Sequence, residues 1–188
     1  MGGRCYIWMP KSDGTLTRIP GPICTDNFQI VSPRFTYLGL EWHSVEQAFQ
    51  ALKFPLESIA HNEIYATGPI RGESDKEYGL RVWALGQPRY DSTIRDDWDQ
   101  VKVKVMLLLN LAKYASDSSF QTDLIDTGNQ RIEAQPSTID WQYWNTCTQS
   151  LIRKLLHSQA DLHSVIGDVE DMPPHEVEIM LADSHENL

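Results

Sequence analysis

Paired cysteines are missing from this chain: Cys5, Cys24 and Cys147 are odd in number, widely separated and never spaced as CxxC. That excludes a disulfide framework and a cysteine-bound zinc, and points to reduced thiols. Long apolar runs are missing too, so no segment reads as a membrane span. The opening Met1-Gly2-Gly3-Arg4-Cys5 lacks a signal-peptide pattern, and Tyr6 stands where a myristoylation signal carries Ser or Thr. A soluble, cytoplasmic protein with no membrane partner is expected. None of GxGxxG, GxxxxGK[ST] or GxSxG occurs, which removes the common nucleotide loops and the nucleophile elbow. The six histidines are dispersed without HxH or HxxxH spacing, so neither a metal nor another cofactor is expected.

Positive charge is also scarce. Sixteen Lys and Arg face 26 Asp and Glu, a net charge of −10. Seven of those acids (Asp168, Glu170, Asp171, Glu176, Glu178, Asp183, Glu186) fall after Gly167, with no Lys or Arg among them. Neither this stretch nor the rest resembles a surface for nonspecific DNA binding, which needs clustered cations. A small anionic ligand stays open, because a few basic groups suffice in a pocket. With 188 residues, the chain reads as one domain over 1–166 followed by an acidic tail over 167–188. Within that tail, His175–Ala182 could form a short docked helix through Val177, Met180 and Leu181.

What is present is mainly helical periodicity behind a short-stranded start. Cys5–Trp8 and Arg34–Leu38 favour strands, with Pro10, Gly14, Pro20, Gly21 and Pro22 marking turns. Helices are predicted from Val45 to near Pro55, and over Leu56–Ala66, Asp75–Val82, Asp97–Ala115, Ser118–Ile125 and Leu151–Leu162. The fold class is therefore mainly α, a compact single domain.

One of these helices carries more than packing. In Ser44–Phe54, Val45, Ala48, Phe49 and Leu52 form an apolar stripe, while Glu46, Gln50 and Lys53 at i, i+4 and i+7 share another face. Ser44 with Gln47 three residues on predicts a capping box. Glu46 then sits in the first turn, where the dipole favours an ionised carboxylate. Such a group can stabilise developing positive charge, or simply suit a helix start. Aromatic and acidic residues also gather at element ends: Trp98, and Asp140-Trp141-Gln142-Tyr143-Trp144. Carboxylates among aromatics suit cleavage of a glycosidic bond, whose transition state resembles an oxocarbenium ion. Trp98 and Trp144 could equally serve the core.

In order along the chain, these residues resemble the YbiA-like family, also called NADAR (NAD and ADP-ribose associated). The resemblance rests on Asn27-Phe28, on Ser44-Val45-Glu46-Gln47-Ala48-Phe49-Gln50-Ala51-Leu52-Lys53-Phe54, and on Lys76-Glu77-Tyr78-Gly79. It continues through Arg95-Asp96-Asp97-Trp98-Asp99-Gln100-Val101-Lys102, Ala112-Lys113-Tyr114 and Leu124-Ile125-Asp126-Thr127-Gly128. It implies a compact orthogonal helical fold and an N-glycosidase that acts on ribosyl or ADP-ribosyl substrates. The family removes ADP-ribose from guanine bases or splits ribosyl intermediates of riboflavin synthesis, and a non-catalytic NAD or ADP-ribose module is the alternative. A modified guanine, free or in transiently contacted DNA, is the implied partner. By position, Glu46, Trp98 and Asp140 would be catalytic; Asn27, Phe28, Gln47, Gln50, Lys53, Arg71, Lys76, Trp141 and Trp144 would line the substrate. Two departures stand out: Gln47 replaces the family histidine, and Trp144–Ile152 lacks the family's glycines.

Overall fold

The computed structural model describes residues 3–87, 93–137 and 139–186. Among them the chain is mainly helical, with helices α1 (Val45–Leu52), α2 (Ile59–Ala66), α3 (Asp75–Leu85), α4 (Trp98–Ser116), α5 (Ser118–Ile125), α6 (Ile139–His157), α7 (Leu162–Asp171) and α8 (Pro174–Glu186). Strands β1 (Tyr6–Pro10), β2 (Leu16–Pro20) and β5 (Ile132–Glu133) form an antiparallel sheet in the order β2-β1-β5. A separate hairpin pairs β3 (Phe35–Tyr37) with β4 (Leu40–Trp42).

Helix α4 is the axis of the molecule. Its Met106, Leu107, Leu109 and Leu111 are fully buried, and it touches α1, α5, α6, α7, α8 and β3. No helix among the described residues is long and apolar enough to cross a membrane.

Several boundaries differ from the sequence expectation: α3 runs to Leu85 rather than Val82, α8 reaches Glu186 rather than Ala182, and two helices start elsewhere. Instead of a helix over Leu151–Leu162, α6 begins at Ile139, and a new helix starts at Leu162. Residues 141–150 are rich in Trp, Tyr, Asn, Gln and Thr, which mask an apolar period, yet Asn145 to Ser150 all face inward. The break comes at Gln159, which takes a positive φ of 57°, and Asp161 then caps α7 by accepting from the His163 amide. Helix α2 begins at Ile59, not Leu56, because Ser58 caps it through the His61 amide.

The acidic C-terminal stretch is built into the fold. Position 167 lies inside α7, and α8 packs on α4 and α6 with Val177 and Leu181 fully buried. Val177 and Leu181 of α8 face inward while Glu176, Ile179 and Asp183 stay exposed. The segment thus carries charge outward without losing its docking face.

Candidate active site

Every residue of α1 is buried, its polar line included. The expected surface face is therefore interior, which follows from α2, α3, α4 and β4 packing around this short helix. Ser44 Oγ accepts from the Gln47 amide at 3.1 Å, as a cap should. The return bond of the predicted box goes elsewhere: Gln47 Oε1 accepts from the His43 amide at 2.9 Å. Gln47 Nε2 lies within bonding distance of the carbonyls of Ile64, Tyr65 and Thr67. Its amide nitrogen thus holds α1 against the end of α2, and its oxygen holds the residue before the cap.

Glu46, Gln50 and Lys53 form one connected line. Gln50 Nε2 donates to Glu46 Oε1 at 2.8 Å, and Lys53 Nζ donates to Gln50 Oε1 at 3.2 Å and to the Gly86 carbonyl at 2.6 Å. Gly86 has to be glycine, since a Cβ there would stand 1.9 Å from Gln50 Oε1. The other carboxylate oxygen of Glu46, Oε2, is buried and has no hydrogen-bond partner among the described residues. Burial pushes the Glu46 carboxyl up to about 7, with Gln50 and the Lys53 charge pulling partly the other way. The sequence expectation of a firmly ionised first-turn carboxylate is corrected here. Loss of hydration outweighs the helix dipole, whose effect is at most about 2 kcal/mol. Burial likewise lowers the Lys53 pKa, an effect that the Glu46 charge opposes.

Aromatic rings flank the same helix. The Phe49 ring centroid lies 4.9 Å from Trp98 and 5.1 Å from Trp141, the latter edge-on. Trp98 reaches it because the Arg95 amide donates to the Lys53 carbonyl at 3.0 Å, tying the start of α4 to the end of α1. Trp141 comes from the first turn of α6, where its neighbour Asp140 is exposed to solvent. Trp144 stacks edge-on against Tyr143 at 4.9 Å and packs partly into the core.

Asn27 meets the site from the opposite side. Its carbonyl accepts from the Glu46 amide at 2.9 Å, and its Nδ2 donates to Asn145 Oδ1 at 3.3 Å. Asn27 Oδ1, like Glu46 Oε2, is buried without a hydrogen-bond partner among the described residues. Phe28 is buried against α3, where Gly79 makes room: a Cβ there would sit 2.2 Å from the Phe28 ring.

The structure therefore connects Glu46, Gln50, Lys53 and the Asn27 carbonyl, while Trp98 and Trp141 meet α1 at Phe49. Arg71, in a turn, and Lys76, on α3, are both exposed, whereas Glu46 and Gln50 are fully buried. The guanidinium at this corner that is engaged is that of Arg81, which binds Glu73 and the Gly68 carbonyl.

Several residues escape sequence reasoning. Lys113 is wholly buried and donates to the carbonyls of Cys24 and Asp26, just before Asn27. Beside it, Tyr114 donates to Gln149 Oε1 at 2.7 Å, and Gln149 Nε2 donates to Asn110 Oδ1 at 3.0 Å. Asn145 and Gln149 are four apart on α6, a spacing that would have flagged a shared face had the helix been extended to Ile139. A cavity of about 460 Å³ lies away from Glu46, lined by Leu151, Met172 and Met180 among others. Among the described residues no cluster of His, Cys, Asp and Glu is arranged to hold a metal ion. No protein-family model, curated protein or solved structure matches this chain.

Proposed function

We propose that the protein is an N-glycoside hydrolase of ribosyl or ADP-ribosyl substrates, most directly one that removes ADP-ribose from guanine, on a YbiA-like orthogonal helical fold. The observation that carries this reading is Glu46: a buried carboxyl with one oxygen held by Gln50 and the other unpartnered. Hydrolysis breaks the bond from the ribose anomeric carbon to the base nitrogen, adds a water oxygen to that carbon, and returns a proton to the base. A carboxyl near half-ionisation at neutral pH can serve either the cationic sugar or the proton transfer. Gln50 fixes which oxygen faces the substrate, and Lys53 fixes Gln50. Trp98 and Trp141 offer faces for the base or the sugar, with Phe49 as their common support. Asp140, exposed one residue before Trp141, can shuttle a proton to solvent.

Gln47 does not weigh against this chemistry, because its side chain serves α2 and not the Glu46 carboxyl. Glu46 is 0 % exposed, so the wall has to part for turnover, and Trp141 is the half-buried member of the aromatic trio.

Mass-spectrometric product analysis over a panel of N-ribosides, including ADP-ribosylated guanosine and riboflavin-type ribosyl intermediates, tests the reading. Free base with ADP-ribose or ribose is the expected product, lost in Glu46→Gln. Closure of Glu46 also favours a binding module without turnover. Tight calorimetric binding of ADP-ribose with no product from any substrate would select that alternative.

A further inference from the structure

The buried amide chain that starts at Tyr114 runs on until it reaches the neighbour of Glu46. Gln149 Nε2 donates to Asn110 Oδ1, and Asn110 Nδ2 donates to the Met106 carbonyl at 3.0 Å and to the Met106 sulfur at 3.5 Å. From the other side the same sulfur accepts from Asn27 Nδ2, also at 3.5 Å. Met106 is fully buried on α4, so its thioether is a fixed joint between two amides.

That sulfur decides how the Asn27 amide lies. A thioether accepts hydrogen bonds and has none to give, so the amide nitrogen has to face it, not the oxygen. The same nitrogen also donates to Asn145 Oδ1 at 3.3 Å. Both donors of the Asn27 amide are thereby used, and its backbone carbonyl is taken by the Glu46 amide at 2.9 Å. What is left is Oδ1, an acceptor on a residue only 3 % exposed, with no hydrogen-bond partner among the described residues. Glu46 Oε2 is in the same condition. Two residues joined through their backbones thus each keep a buried acceptor open. Buried acceptors are costly unless satisfied, and a group that satisfies these has to bring donors.

We propose that Asn145 and Met106 are positioning residues. They hold the Asn27 amide so that Oδ1 accepts from the ribose 2′-hydroxyl, beside the anomeric carbon, and so make the site select ribosides over 2′-deoxyribosides. This rests on the hydrolase reading of Glu46. A carboxyl placed at the anomeric carbon leaves its neighbour facing the adjoining hydroxyl, the nearest donor that a ribosyl group offers. As positive charge grows on the sugar, that hydroxyl becomes a stronger donor. An acceptor fixed against it therefore stabilises the transition state more than the ground state.

Rates on ADP-ribosylated guanosine, and on its analogue lacking the 2′-hydroxyl of the cleaved ribose, test this because only the first can use Oδ1. Loss of the hydroxyl also changes the reactivity of the sugar itself, so the readout is the ratio of the two kcat/KM values, compared between variants. Asn27→Ala and Asn145→Ala should each lower that ratio about tenfold, through kcat more than KM and almost wholly on the hydroxylated substrate. Met106→Leu keeps the volume and removes the acceptor, and should lower the ratio about threefold. Asn145→Asp retains an oxygen toward Asn27 and should restore the parent ratio. Circular dichroism establishes folding, and Met106→Leu carries the test if Asn145→Ala does not fold.

Equal loss on both substrates would make Asn145 and Met106 merely structural and overturn the proposal, as would an unchanged ratio in the folded variants. Cleavage with an unchanged ratio leaves the hydrolase reading intact and removes only the positioning. If neither substrate is cleaved, that reading fails by itself, and calorimetric affinities for ADP-ribose and its analogue lacking the same hydroxyl supply the ratio instead. Neither cleavage nor binding would overturn both.

Discussion

Two buried polar systems meet across the segment from Cys24 to Glu46, and they handle charge in opposite ways. On the α4–α6 side, the cation Lys113 forms no salt bridge with a described carboxylate; it donates to the backbone carbonyls of Cys24 and Asp26. Tyr114, Gln149 and Asn110 extend that network with each donor matched to an acceptor. On the α1 side, the line from Lys53 through Gln50 ends on Glu46, whose Oε2 has no hydrogen-bond partner among the described residues. Buried polar groups are expensive unless satisfied, so a closed network reads as structure and an open one as a place for something else to bind. The asymmetry separates residues that hold the site from the residue that would act in it.

The sharpest way to break the comparison is to remove the unpartnered oxygen's charge. Glu46→Gln should lower the rate of N-riboside cleavage by about 10²–10³-fold, as expected for a group placed for the transition state. It should leave the chain folded, which circular dichroism checks. A variant as active as the parent would place Glu46 among the structural residues.

Next in size is the pH dependence of stability, where the two systems should be mirror images. Folded Glu46 has its pKa raised from 4.5 to about 7. Its contribution is thus fully present below about 4.5 and lost as pH rises through about 7. Folded Lys113 has its pKa lowered by burial from 10.5 to about 8. Its penalty is full below about 8 and relieved as pH rises through 10.5. Each window is worth about 3 kcal/mol at most. Urea unfolding across pH should show the lower slope vanish in Glu46→Gln and the upper one in Lys113→Met.

Smaller effects sharpen the boundary between holding and acting. Gly86→Ala should cost about 1–3 kcal/mol, because the new Cβ displaces Gln50. It should slow cleavage as well, through a Glu46 carboxyl that is no longer fixed. Gln47→Ala should cost about 1–2 kcal/mol in thermal or urea unfolding, yet leave turnover per folded molecule unchanged. Lost activity with unchanged stability would put Gln47 back beside the substrate.

Local patterns were legible in the sequence where one period dominates. The α1 start at Val45, all of α5 and nearly all of α4 follow from caps and apolar spacing. The polar line of α1 was also legible, because residues four apart on a helix have to meet. The first half of α6 was not, since its buried face includes Asn145, Thr146 and Gln149, which look like surface until Asn27, Ala134, Asn110 and Tyr114 supply their partners. Arg71 and Lys76 were natural candidates by charge, but a side chain's position relative to α1 depends on how α3 docks, which no local spacing encodes.

The sequence by itself determined which residues share a helix face, where most helices begin, and that the chain is acidic without being able to form a disulfide framework. Those properties depend on backbone geometry and on neighbours within a turn or two. Only the tertiary structure decided that the polar face of α1 is interior, that Glu46 loses its hydration, and that the acidic C-terminal segment is part of the core. Burial is a property of what surrounds a residue, and the elements that bury Glu46 come from far along the chain.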